Sequence, residues 1–346
     1  MRVMVTGGTG FVGAHSVATL RAAGHEVSLL VRDAIRIATN IGALGVDVDA
    51  LDHVAGDMTD EAAVVRALDG CDAVLHCAAV VSLDRRRARE VRDQNPRGVE
   101  VVVGTALERG LDPVVYASSA SALFRPGVPV LRADLPPAPA SGPYARSKAD
   151  AEGLIRRWQG EGAPVTSTYP GGVVGPPAGT AFGEMADALV THLRMGLMPL
   201  RDGALSIIDV RDVASVHTAA MEAGRGPRRF MCGGHFLTME ALAAVYHSVT
   251  GRRFPIVPVP AASVRGLGRV MDGLMRVTPI SSVVTGEAMD LLTGWVPSDD
   301  SRISDDLGVV LRPVEDTLAD AFRALYDAGR LTRSQVGRLV VGGTDG

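Results

Sequence analysis

Met1-Arg2-Val3-Met4-Val5-Thr6-Gly7-Gly8-Thr9-Gly10-Phe11-Val12-Gly13-Ala14-His15 opens the chain, and its reading decides the fold. Val3, Met4 and Val5 predict a short buried strand, and the glycines after it predict a turn with a helix opening near Gly10. Gly8, Gly10 and Gly13 spell G-x-G-x-x-G, while Thr6, Gly7, Gly10 and Gly13 spell T-G-x-x-G-x-x-G. Either way the physics is one: a turn without Cβ atoms lets a pyrophosphate approach the backbone, and the N–H groups and positive end of the next helix hold its charge. In a chain with 40 glycines such spacing also arises by chance, so context decides. The turn follows a strand, precedes a helical stretch over residues 14–23, and Gly24-His25 then leads into a second apolar strand. That order predicts dinucleotide binding, with Gly7, Gly10, Phe11, Val12 and Gly13 around the phosphates.

At 346 residues the chain is long for one domain and short for three, which predicts one large unit with a smaller appendage. A net charge of -4 supplies no basic field, so nucleic acid is not an expected partner. No apolar run is long enough to span a bilayer, and because the strand and turn begin at Met1, no signal peptide is expected. Cys71, Cys77 and Cys232 are odd in number and widely spaced, which suits neither a disulfide framework nor a metal site; they read as reduced thiols of a cytoplasmic protein.

Residues 27–31 read as the second strand, beyond whose end the adenosine ribose belongs. The strand closes Val31-Arg32-Asp33, a cation before an acid; Arg32, with Arg36 a turn later, suits a 2′-phosphate, and two ordinary surface arginines are the plainer alternative. NADP(H) is therefore favoured as cofactor, with NAD(H) open. In Gly56-Asp57-Met58-Thr59-Asp60, Asp57 could accept from the adenine amine, or Thr59 or Asp60 could cap the helix that follows. Residues 74–77 read as an apolar strand containing His76, a packed core histidine without metal spacing, and Ala78 and Ala79 after it are small enough to let a cofactor pass. Arg85, Arg86, Arg87, Arg89 and Arg92, interleaved with Asp84 and Glu90, read as a solvated helical face rather than a site for an acidic substrate. A helix over residues 95–108 follows, with Val99, Val102, Val103 and Ala106 on one stripe.

Val114-Val115-Tyr116-Ala117-Ser118-Ser119 reads as a strand ending in two hydroxyls, and Tyr144 and Lys148 stand four apart in a helical stretch, one turn above the other. A tyrosine with a pKa of roughly 10 is a poor acid at neutral pH; a neighbouring ammonium favours the phenolate, and a nearby serine can donate to a substrate carbonyl or hydroxyl.

With Thr6-Gly7-Gly8-Thr9-Gly10-Phe11-Val12-Gly13, Ser118-Ser119, Tyr144-Ala145-Arg146-Ser147-Lys148, Tyr169-Pro170-Gly171-Gly172-Val173-Val174-Gly175-Pro176 and Ile208-Asp209-Val210-Arg211-Asp212-Val213-Ala214 in this order, the chain resembles the extended short-chain dehydrogenase/reductase family of the NAD-dependent epimerase/dehydratase type. The resemblance runs over residues 1–325 and implies Tyr144 as acid/base, Lys148 as the group that lowers its pKa and binds the nicotinamide ribose, and Ser119 as the polarising hydroxyl. It places Pro170 and Val173 beside the nicotinamide. Val31-Arg32 looks like the NADP-using reductases, whereas nucleotide-sugar members place an acid where Val31 stands and show R-D-F where this chain reads Leu205-Ser206-Ile207. The pattern is closest to dihydroflavonol-reductase and 3β-hydroxysteroid-dehydrogenase members.

The expected fold is α/β: a Rossmann-type doubly wound parallel sheet over residues 1–175, with 204–222 returning to it, a smaller C-terminal substrate-binding domain from 176–203 and 223–328, and a tail from 329. Helices are expected over 182–195, 211–221, 239–250 and around 264–275, and a salt bridge of Arg211 and Asp212 at the domain seam. Val264, Leu267, Met271, Leu274 and Met275 mark one apolar helical face, read as core or pocket lid, with a membrane-surface helix as the alternative. Together with Leu123, Phe124, Val128, Phe182, Met185 and Leu189, Met271, Leu274 and Met275 would wall a pocket for a mainly apolar small molecule. The function expected is interconversion of a ketone and a secondary alcohol; nucleotide-sugar epimerisation or dehydration, and non-catalytic NADP sensing, are the competitors. A homodimer is compatible with all three.

Overall fold

The computed structural model describes residues 1–81, 87–125, 127–140, 142–198, 200–278, 282 and 284–340. In chain order the first half runs β1 (Arg2–Thr6), α1 (Phe11–Ala22), β2 (Glu26–Val31), β3 (Asp52–Ala55), α2 (Glu61–Ala67), β4 (Ala73–His76), α3 (Ala88–Glu108), β5 (Val114–Ala117), α4 (Pro143–Gly160) and β6 (Val165–Pro170). The second half runs β7 (Gly172–Val174), α5 (Ala186–Met195), β8 (Ala204–Asp209), α6 (Val210–Ala219), β9 (Arg228–Cys232), β10 (His235–Thr238), α7 (Met239–Thr250), α8 (Ala261–Val277), α9 (Gly286–Gly294), α10 (Ser301–Asp305) and α11 (Val314–Asp327).

Among the described residues, seven parallel strands form one sheet in the order β3-β2-β1-β4-β5-β6-β9. Side chains alternate across a strand, and a sheet covered on both faces needs apolar residues at every position. The central strands meet that demand. Val3, Val5, Leu29, Leu75 and Val115 share one buried cluster with Val17 and Leu20 of α1; Met4, Leu30, Val74, Val114 and Tyr116 share another with Val99, Val102 and Val103 of α3 and Ile155 of α4. The sheet reverses its strand order between β1 and β4, and that switch point is where the glycine turn sits.

A second, three-stranded sheet, β10-β8-β7, carries α5, α7 and α11 around Leu193, Leu242, Tyr246, Leu318 and Phe322. Tyr246 meets Phe254 and Phe322 edge-to-face at 5.2 and 5.1 Å, which gives this smaller unit its own core.

The expected boundaries need correction. β8, within the stretch expected to return to the large sheet, pairs instead with β7 and β10, and the return is made by α6, which packs on α1. β9, expected in the smaller unit, is the edge strand of the large sheet, registered on β6 from Thr166 opposite Arg228 to Pro170 opposite Cys232. The helix expected from 182 starts at Ala186. α8 turns Gly268, Asp272 and Met275 inward, while Leu267, Val270 and Leu274 are exposed at 53%, 60% and 41%. The close approach of α9 decides which side is buried: a Cβ on Gly268 would stand 2.7 Å from the Thr285 carbonyl, so the small residue, not the bulky ones, faces the neighbour. Of the arginine-rich stretch, Asp84, Arg85 and Arg86 lie outside the described residues; Arg87 pairs with Glu90 at 2.9 Å and Arg89 with Asp93 at 3.5 Å on the solvated start of α3.

Candidate active site

Gly10 is the N-cap of α1, with no capping side chain and no acid in the first turn, so the helix's unpaired N–H groups keep their positive field for an outside anion. Gly7 has φ +69°, and a Cβ there would stand 2.7 Å from the Ala78 nitrogen; on Gly13 it would stand 2.1 Å from the Gly7 carbonyl. The glycines thus bring α1, the end of β1 and Ala78 together at backbone distance. Thr6 fastens that junction, its hydroxyl 2.6 Å from Nδ1 of His76 and 3.2 Å from the Ala78 N–H that donates to it. His76 is buried and its pKa is pushed down to about 3, first by desolvation and then by the charge of Lys148, so it is a neutral core residue.

Asn40 is a residue that motif reading missed. Buried under the turn, it donates to the Thr9 carbonyl at 2.8 Å and accepts from the Thr180 N–H and hydroxyl at 3.1 and 3.0 Å. Phe11 packs edge-on to His15 at 5.8 Å and fills the space a side chain on Gly183 would need, while His15 is 3.0 Å from the Pro176 carbonyl through Nε2. The turn is therefore braced from the segment after β7. Val12 and Val173 each pack against the buried cluster of β9 and α6, and Pro170 ends β6 opposite Cys232 of that cluster.

At the far end of β2, the Arg32 side chain is 74% exposed and lies 3.9 Å from Asp57. Asp60 caps α2 through the Ala63 N–H at 3.1 Å, whereas Asp57 accepts from the Thr59 N–H and hydroxyl at 3.0 and 2.8 Å. Capping therefore falls to Asp60. Arg36 pairs with Asp33 at 3.6 Å. Met58 is buried in the space left by Gly98, and Ala79 is half-buried beside the turn. An uncapped helix N-terminus over a bare-glycine cradle, with the exposed Arg32 guanidinium beyond the end of β2, fits a dinucleotide.

Tyr144 is the second residue of α4 and Lys148 follows one turn later. The Tyr144 phenol is pushed up to about 12 by burial; Ser119 acts in the opposite direction, and the charges of Glu184 and Glu287 reinforce the rise. Lys148 is buried and pushed down to about 8 by desolvation, its ammonium donating to the Ala117 carbonyl at 3.0 Å and lying over the Tyr116 ring. Burial is thus the largest influence on the phenol. Ser119, not Ser118, is the hydroxyl that faces Tyr144. Ser118 turns into the core and donates to Glu152 at 3.0 Å.

Glu152 and Arg156 continue the Lys148 face of α4 at four-residue steps. The buried Glu152 carboxylate also accepts from Arg156 at 2.7 Å and from the Tyr169 hydroxyl at 2.6 Å. On the other side Asn95 donates to Ser147 at 2.9 Å, and Ser147 donates to the Tyr144 carbonyl at 2.8 Å. These groups fix α4 relative to α3, β5 and β6. A buried polar residue on a helix stripe is the sequence signal that could have singled out Asn95.

Arg211 and Asp212 do not bridge to one another. Arg211 pairs with Asp209 at 2.7 Å and Asp320 at 2.9 Å, and Asp212 pairs with Arg312, so both tie α6 to the C-terminal segment.

A cavity of about 470 Å³ opens at the N-terminal end of α4, lined among others by Ser121, Phe124, Ala145, Arg265, Arg269 and Glu287. Of the expected apolar wall, Phe124 lines it, stacked on Trp295 at 5.2 Å; Leu123, Leu189 and Met275 are core, and Leu274 faces outward. Among the described residues no cluster of His, Cys, Asp and Glu could hold a metal, and no helix is long and apolar enough to cross a membrane.

Glycine cradle, switch point and Tyr144-Lys148 pair define a dinucleotide-dependent oxidoreductase of the extended short-chain dehydrogenase/reductase type. Residues 3–233 match the NAD dependent epimerase/dehydratase family, and the chain belongs to it. It is similar to sterol demethylase protein B of Methylococcus capsulatus, 28% identical over 96% of this chain and 100% of that one. A putative dihydroflavonol 4-reductase of Synechocystis is 29% identical over 94% of each chain. The fold is shared with a UDP-glucose-4-epimerase from Stenotrophomonas maltophila solved with NAD and formylated UDP-arabinopyranose, at TM-score 0.74 and 21% identity over 95% of this chain and 99% of that one.

Proposed function

We propose that this protein interconverts a ketone and a secondary alcohol on a mainly apolar small molecule, using NADP(H). The carrying observation is the half-buried Tyr144 phenol with Ser119 facing it, next in sequence to Ala145 on the cavity wall. Gly7, Gly10 and Gly13 with the first turn of α1 would hold the pyrophosphate, Asp57 and Met58 the adenine edge, Ala78 and Ala79 the passing backbone, and Pro170 and Val173 the nicotinamide face. When bound, that group supplies or accepts the hydride. Ser119 donates a hydrogen bond to the substrate oxygen, Tyr144 gives that oxygen its proton in reduction and removes it in oxidation, and Lys148 holds the ribose.

Arg32 supports NADP(H): it stands exposed at the end of β2, and its guanidinium matches a 2′-phosphate. The apolar substrate is supported by Phe124, Pro139 and Leu291 on the cavity wall and by the names of the two relatives. One observation favours the second reading. Arg265 and Arg269 line the same cavity, and convergent cations are what a sugar diphosphate would need. Free thiols at the half-buried Cys77 and the buried Cys232 support a reducing compartment such as the cytoplasm.

NADPH consumption over a panel of bulky aromatic and alicyclic ketones tests the proposal, with uridine and thymidine diphosphate sugars in parallel. Turnover of ketones is the expected result. Tight binding of a diphosphate sugar with no ketone reduced would replace this reading by the epimerase one.

A further inference from the structure

We infer that Glu287 is a positioning residue for the catalytic helix, supplying from α9 the N-cap that α4 lacks. This rests on the reading of Tyr144 as acid/base. α4 begins Gly142-Pro143-Tyr144-Ala145: the cap position has no side chain, and the first helical residue has no N–H. In a self-capped helix the side chain of the cap residue would accept from the N–H three residues on, here that of Ala145. That N–H donates instead to Glu287 at 2.8 Å, 142 residues away in sequence.

Gly142 makes room for this. A Cβ there would stand 1.9 Å from the Glu287 carboxyl carbon, so the place of a local cap is taken by the foreign one. Glu287 itself lies in the first turn of α9, whose cap Thr285 accepts from the Ala288 N–H at 3.1 Å. One carboxylate therefore sits at two helix N-termini, and each favours its negative charge. Glu287 is 8% exposed, and the Ala145 N–H is one of the groups that make burying its charge tolerable.

The consequence is mechanical and electrostatic. α9 is seated on α8 through the tight Gly268 contact and the Gly286 N–H, which donates to Asp272 at 3.3 Å. Arg265 and Arg269 of α8 line the cavity together with Glu287. A substrate lodged there bears on the same helix pair that fixes the turn carrying Tyr144. The charges around the phenol, Glu184 before α5 and Glu287 on α9, both keep its proton in place, against Ser119.

Hydrogen exchange at the Ala145 amide and steady-state ketone reduction test this together. In Glu287→Ala the amide should exchange roughly two- to thirtyfold faster, the range expected for loss of a cap. kcat should fall about tenfold, because a misplaced proton donor slows chemistry, while the Kd for NADPH stays within about twofold, since the glycine turn is untouched. Glu287→Gln keeps an acceptor and should retain protection. Glu287→Ala with Gly142→Ser installs a local cap and should restore both exchange protection and kcat. An unchanged Ala145 amide in Glu287→Ala overturns the inference, as does protection restored without kcat. A wild-type protein that reduces none of the ketones contradicts the functional reading instead, and the exchange result then decides the cap by itself.

Discussion

Tyr144 holds its proton tightly, at about 12, and this suits the reductive direction, in which the phenol must arrive protonated. Oxidation needs the phenolate, so its rate should climb roughly tenfold per pH unit until the phenol titrates, while reduction stays flat through neutrality. A pH-independent oxidation rate would remove Tyr144 from the proton transfer. Lys148→Ala should damage both cofactor affinity and kcat, because the ammonium that anchors the end of β5 at Ala117 is also the proposed ribose ligand. Arg32 makes a separable prediction. Its contact with Asp57 is long and exposed, so Arg32→Ala should leave folding unchanged yet cost NADPH about tenfold in affinity and NADH almost nothing. Fluorescence titration with both cofactors measures this; if the unmodified protein prefers NADH, the 2′-phosphate assignment is lost.

The β1-turn-α1 element depends on contacts shorter than any side chain tolerates. Gly13→Ala puts a methyl 2.1 Å from the Gly7 carbonyl, so α1 must move off β1. NADPH affinity should drop by at least about tenfold with a lower thermal midpoint, since the displaced N–H groups no longer converge on the phosphates. Unchanged affinity would place the pyrophosphate elsewhere. This element, the Tyr144-Lys148 spacing and the strands β1, β2, β4 and β5 were legible in the sequence, because each depends on local pattern: glycine spacing, a four-residue helical repeat, short apolar runs. The lesser sheet was not. β8 is as apolar as a strand of the large sheet, and nothing within Ala204–Asp209 says that its partners are β7 and β10. α8 misled for a related reason: Gly268 and Asp272, not Leu267 and Leu274, meet the neighbouring helix, and periodicity cannot see a partner. Asn40 and Glu287 act through contacts 31 to 142 residues away in sequence, so no local motif carries them.

Across the molecule, buried neutral histidines tie the layers together. His217 of α6 lies 2.9 Å from Ser16 of α1 through Nδ1 and 3.1 Å from Thr168 of β6 through Nε2, and burial pushes its pKa down to about 4. The unfolded chain takes up a proton near 6.5, the folded one refuses it until about 4, so the unfolded state binds more protons throughout that window. Stability must therefore fall as pH drops below about 6.5, by about 3 kcal/mol from His217 at full effect, with His76 extending the loss to about pH 3. Thermal melts from neutral to acid pH should show this slope, and His217→Gln should flatten it. A slope identical in the variant would mean that carboxylates, not histidines, set the acid limit.

The central claim is that the half-buried Tyr144 phenol carries the proton for a cofactor-dependent redox reaction in this fold. Its most direct test compares the unmodified protein with Tyr144→Phe in NADPH-dependent ketone reduction, with NADPH affinity measured on both. The account predicts at least about a thousandfold loss of kcat with affinity within a few fold, since only the transferable proton is removed. Retained turnover in Tyr144→Phe, at a rate near that of the unmodified protein, would contradict it.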